Sequence, residues 1–151
     1  MMASDNALIE GIVTHFRPSG PFSSARATAH LDLCKRHIGG AIVELGIAEG
    51  GSAALLSLLA RPRRLVALEL DPTPVQALAE LIKRRALAAT VHPIYGVNQA
   101  DRRRLVEIVD DRFGDDALDL VIDDASHLLP ETTASIETLF PYLRSGGVAL
   151  A

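Results

Sequence analysis

"AIVELGIAEGGSAALLSLLA", Ala41–Ala60, is the stretch whose reading decides the fold. An apolar run reaches a carboxylate at Glu44, breaks at Gly46, and passes through Glu49-Gly50-Gly51-Ser52. It then restarts as a segment rich in alanine and leucine. The first part predicts a short buried strand over 41–45, the last a helix over 52–59. Gly46 and Gly50 permit a tight turn and a close backbone approach that a Cβ would obstruct. Ser52 is placed to cap the helix. A buried strand has little structural use for a carboxylate and several glycines at its tip, whereas a ligand site does.

The pattern repeats outward from there. "RLVALEL" (64–70) is a second apolar run, followed by Asp71-Pro72 and a helix over 73–85. "TVHPIY" (90–95) is a weaker strand, and its proline places it toward a sheet edge. A helix follows over 102–113. "LDLVID" (118–123) is a fourth strand, and 130–143 is a helix with Pro130 in its first turn and Ile136, Leu139, Phe140 and Leu143 on one face. Ser145-Gly146-Gly147 turns the chain into a last strand, "VALA". Asp71 is expected to start its helix. Strands alternating with helices predict an α/β fold, a Rossmann-like doubly wound parallel sheet with helices on both faces. Residues 1–24, with a short helix near Asn6–Phe16 and the loop "RPSGPFSS", form a lead-in to a domain over 25–151. That domain begins with a helix over Ala25–His37.

The bulk properties narrow the function. A net charge of −4 disfavours nucleic acid as the main partner. Acidic stretches interrupt the basic knots at Arg61–Arg64, Lys83–Arg85 and Arg102–Arg104, which read as solvated helix ends. No apolar run approaches the roughly 20 residues needed to span a bilayer. The one cysteine, Cys34, reads as a core thiol. With no signal-peptide pattern at the N-terminus, it predicts a reducing, cytoplasmic location. His15, His30, His37 and His92 have no acidic or cysteine cluster around them and read as structural.

In a doubly wound sheet the ligand crevice lies at the carboxyl ends of the strands, so the strand ends carry the functional reading. The first motif is E-x-G-x-x-x-G-x-S, not the dinucleotide G-x-G-x-x-G. Glu44 and Glu49 beside the glycines suit a ligand with a cationic end better than a pyrophosphate. Glu69 ends the second strand 23 residues after Gly46, a position from which an acidic side chain can accept hydrogen bonds from ribose hydroxyls. Asn98 and Gln99 follow the third strand, where their loop can meet the edge of a base. The fourth strand ends in "DDASH": Asp124 is a candidate Mg²⁺ ligand, and His127 a candidate general base.

Taken together, these residues resemble the class I S-adenosylmethionine-dependent methyltransferases. Glu44, Gly46, Gly50 and Ser52 match the family's first motif, Glu69 its ribose-binding acid, and Asn98 and Gln99 its adenine-contacting positions. The "GGSA" turn and the D-D-x-S-H motif, with the L-F-P-x-L-x-x-G-G stretch that follows, resemble the metal-dependent O-methyltransferases of macrolide sugars and antibiotic tailoring. The resemblance implies Asp124 as metal ligand and His127 as base. It also implies S-adenosylmethionine, with Mg²⁺, as cofactors, and a hydroxylated small molecule such as a sugar or natural product as acceptor. Enzymes of that kind complete their metal site just beyond the fifth strand. This sequence stops at Ala151, so it is expected to be a C-terminally incomplete domain, with a last strand that invites homo-oligomers. A non-catalytic cofactor- or nucleotide-binding module within a larger assembly is the rival reading. It would keep Gly46, Gly50 and Glu69 without using Asp124 and His127. A nicotinamide-dependent oxidoreductase is disfavoured by the missing G-x-G-x-x-G.

Overall fold

The computed structural model describes residues 32–151. The expected helix at Asn6–Phe16, the loop after it, the first part of the helix over 25–37, and His15 and His30 lie outside the described residues. Five parallel strands carry the fold: β1 (Ala41–Leu45), β2 (Arg64–Glu69), β3 (Val91–Tyr95), β4 (Leu118–Asp123) and β5 (Leu143–Leu150). Their spatial order is β3-β2-β1-β4-β5. Between them run helices α1 (Gly51–Leu55), α2 (Gln76–Arg84), α3 (Arg102–Phe113) and α4 (Leu129–Leu139). α1 continues as a π-helical turn over Leu56–Ala60.

The apolar strand sequences follow from this placement. β1 and β4 are buried along their whole length, as central strands of a sheet covered on both faces must be. Alternate residues then serve two separate cores. Ile42, Leu65, Ala67, Leu120 and Ile122 pack toward α1 and α2. Val43, Leu45, Val66, Leu68 and Val121 pack with residues of α3 and α4. Cys34 belongs to the first core, and burial pushes its thiol up to about 11, which makes it an inert packing residue. β3, with Pro93, lies at a sheet edge as its sequence predicts.

At the opposite end of the sheet from the ligand side, an ionic clamp joins the strand starts. Arg63 forks onto Asp116, with both contacts at 2.8 Å, and also reaches Asp119 at 2.9 Å. Asp119 accepts from the Ala41 amide at 2.8 Å and from Arg144. Burial raises the Asp119 carboxyl, but this amide and the two guanidiniums outweigh it and hold the group below its usual range.

Three boundaries differ from the sequence reading, each for a local reason. Asp71 does not cap α2. Its Oδ1 accepts from the Thr73 amide at 2.8 Å, an Asx turn, and the helix starts only at Gln76. α4 stops at Leu139 and tightens into a 3₁₀ turn over Phe140–Tyr142, because Pro141 has no amide to continue the ladder. Phe140, expected on the buried face, is therefore 64% exposed. β5 begins at Leu143, and the Ser145-Gly146-Gly147 stretch is a bulge inside it rather than a turn before it.

Candidate active site

The strand order reverses between β1 and β4, and a crevice opens at their carboxyl ends. The register brings the tips level: Leu45 pairs with Leu68 on one side and with Asp123 on the other. A cavity of about 290 Å³ lies there. Leu45, Leu68, Val97 and Ala125 give it apolar walls, and Glu69, Asn98, Asp124 and Glu131 also line it.

The turn after β1 has positive φ at Gly46 (95°), Ala48 (47°) and Gly50 (87°). This alternation turns successive amides inward, and the Glu69 carboxylate takes them. Its Oε2 accepts from Ile47 N at 2.9 Å and from Ala48 N at 2.8 Å, while Oε1 accepts from Asp71 N at 3.1 Å. In a phosphate loop such amides point at the ligand. Here a fixed carboxylate already holds them.

Gly46 has a second reason to be glycine. A Cβ there would stand 2.6 Å from the Asp124 carbonyl oxygen and 2.9 Å from Ala125 Cα. The close approach read from the sequence is thus made by the chain leaving β4. Gly50 is the N-cap of α1, with φ 87° and no side-chain capping bond. Ser52, expected as the cap, is the second residue of the helix.

Glu44 does not line the cavity. It shares a strand face with Ile42, turned toward α1, and is fully buried. Neither carboxyl oxygen has a partner in hydrogen-bonding geometry. Burial pushes this carboxyl up to about 8, against a smaller opposing effect of the Ser52 hydroxyl, so it is mainly protonated at neutral pH. Negative charge at the crevice comes instead from Glu69, Asp124 and Glu131.

Gln99 lines the cavity but spends its polar atoms on the protein. Its Nε2 donates to Asp123 at 3.2 and 3.4 Å, and its Oε1 accepts from Ser126 N at 3.1 Å. Ser135 of α4 donates to the same Asp123, and Ala125 N adds a bond at 3.3 Å. This buried clamp fixes the loop after β4. Asn98 Oδ1 accepts from Ala100 N at 2.8 Å, and Val97 N is taken by the Glu69 carbonyl at 2.8 Å.

Asp124 and His127 stand together at the mouth, with Oδ1 and Nε2 3.6 Å apart. That is close enough for charge attraction but not for a hydrogen bond. His127 is 69% exposed and has φ 55°, a left-handed conformation for which histidine is enriched among residues with a Cβ. Among the described residues, no three His, Cys, Asp or Glu side chains gather as a metal site. Asp124, read from the sequence as a Mg²⁺ ligand, is therefore not joined by a ligand set among the described residues.

A sequence profile described as a methyltransferase domain matches residues 43–151. The chain belongs to the methyltransferases. No curated protein matches it by sequence. Several solved methyltransferase structures share its fold at low identity. The MycE methyltransferase of the mycinamycin pathway, solved with Mg, SAH (S-adenosylhomocysteine) and mycinamycin VI, is 21% identical with a TM-score of 0.66. That match covers 94% of this chain and 36% of MycE. An O-methyltransferase from Bacillus cereus in complex with SAH is 19% identical, with a TM-score of 0.65, 95% of this chain and 63% of the other covered. A TDP-rhamnose 3′-O-methyltransferase of calicheamicin biosynthesis is 16% identical, with a TM-score of 0.61, 99% of this chain and 78% of the other covered. The methyltransferase chain described here thus spans about a third of the length of MycE. No helix among its described residues is long and apolar enough to cross a membrane.

Proposed function

We propose that the chain binds S-adenosylmethionine at the β1–β4 crevice and serves methyl transfer to a hydroxyl of a small molecule, a sugar or another natural product. The observation that carries this reading is Glu69. Its carboxylate lines the cavity and closes the loop amides, so the site suits hydroxyls and a cationic centre and opposes phosphates. A carboxylate has about four lone-pair positions and three are used, which leaves capacity for a ribose hydroxyl.

The donor, when bound, supplies a methyl group on an electrophilic sulfonium. The residues of the chain then have modest tasks. Glu69 holds the ribose, the apolar walls and Asn98 enclose the adenine, and the Gly46–Gly50 turn borders the methionine part. Gln99, Asp123 and Ser135 hold the loop that presents Asp124 and His127. His127 accepts the proton that the acceptor hydroxyl loses as its oxygen bonds to the methyl carbon.

Replacing Glu69 with alanine removes a charge-assisted hydrogen bond. SAH should bind more weakly by about 1.5–3 kcal/mol, roughly 10- to 150-fold, in calorimetry of the full chain. Parent-like affinity would refute the ribose assignment. ATP and NAD should fail to displace SAH in the same titration, because their phosphates find occupied amides and carboxylates. Tight binding of NAD would restore the dinucleotide reading.

A further inference from the structure

The cavity, at about 290 Å³, is at the low end of small-molecule pockets, which run to about 1,000 Å³. It has room for one nucleoside-sized ligand, so a second reactant must seat on the rim. That rim has an unusual make-up. Leu70 lines the cavity and is 66% exposed. Leu128 and Leu129 follow His127 directly, are 57% and 79% exposed, and lie between Ser126 and Glu131, which both line the cavity. Large aliphatic side chains this exposed are costly to leave in water unless something covers them. Among the described residues, the charged side chains that line the same cavity are Glu69, Asp124 and Glu131, all acidic.

Resting on the methyltransferase reading above, we propose that the acceptor carries an apolar body that covers Leu70, Leu128 and Leu129, and has no negative charge. A cationic acceptor is preferred to a neutral one, and phosphorylated or carboxylated acceptors are rejected. Rejection follows from like charge: an anion at the mouth of the donor-filled site meets the Asp124 and Glu131 carboxylates, and desolvating it there without a cationic partner is unfavourable. The leucines select for the apolar body, because a bare sugar would leave them in water.

The test uses the full chain, first titrated with SAH. Three aryl β-D-glucosides then follow, with 4-methylphenyl, 4-(aminomethyl)phenyl and 4-carboxyphenyl groups, so that hydroxyls and size are held constant while charge changes. The aminomethyl compound should bind about tenfold more tightly than the carboxy compound at low salt. That ratio should shrink toward about twofold at 0.5 M salt. Glu131→Lys should narrow the low-salt ratio about fivefold, with SAH affinity measured in parallel so that the ratio is read on donor-saturated protein. Leu129→Ser should weaken all three glucosides about fivefold and leave SAH alone.

Failure of SAH to bind would remove the methyltransferase reading and this proposal with it. SAH binding with no glucoside bound at millimolar concentration, or with the carboxy compound bound best, would overturn the acceptor proposal alone. So would a Leu129→Ser variant that changes oligomeric state without changing glucoside binding, since the leucines would then be an interface between copies.

Discussion

His127→Asn should lower the methyl-transfer rate by about 10²- to 10⁴-fold, on any acceptor that the parent chain methylates, while SAH affinity and melting temperature stay close to the parent's. Asparagine is the informative replacement because it tolerates the backbone φ of 55° at this position. A β-branched or bulky residue would add strain and confuse the loss of a base with the loss of a turn. The side chain is 69% exposed and stands outside the cavity lining, so its removal takes little packing with it. If SAH affinity and stability fall along with the rate, His127 is there to shape the loop and the base must be sought elsewhere.

The second large effect is on stability, at Glu44. The native carboxyl is raised to about 8 from an ordinary value near 4.5. Between those two pH values the folded chain keeps a proton that the unfolded chain releases. The contribution of the protonated form is therefore complete below about pH 4.5, is lost as pH rises toward about 8, and is flat above. At about 1.4 kcal/mol per pH unit the total loss is on the order of 5 kcal/mol, a large part of a typical domain's stability. Glu44→Gln is neutral at every pH and of the same shape. Urea unfolding at a series of pH values should show the parent losing stability from pH 5 to 8.5 relative to the variant. Histidines titrating in the same range cancel in that comparison. Parallel pH profiles for the two proteins would show that Glu44 reaches solvent or a partner.

The sequence made the sheet legible because four of its strands are short apolar runs bounded by clear turn residues, and Pro93 marked an edge. It was misleading where a residue's usual role differs from its role here. Ser145-Gly146-Gly147 reads as a turn, yet two glycines also suit a bulge packed close to Leu118. In the site, the tip residues Gly46, Glu69 and Asp124 were legible because strand ends face the crevice. Glu44 was not, although period-2 alternation puts it on the Ile42 face, under α1. The clamp of Gln99, Asp123 and Ser135 had no sequence signal, since its members lie 24 and 12 residues apart and meet only through the β4 register.

The missing Cβ of Gly46 has a consequence for redesign. Because the backbone of Asp124 and Ala125 fills the space where that atom would be, the turn after β1 and the loop after β4 are not independent modules. A loop graft meant to change the acceptor, exchanging the segment around Asp124–His127 alone, imports a backbone path shaped against a different turn. Such grafts should succeed when both segments are transplanted as a pair, and the single exchange should lose donor binding even when the grafted segment keeps Asp124 and Ala125 themselves.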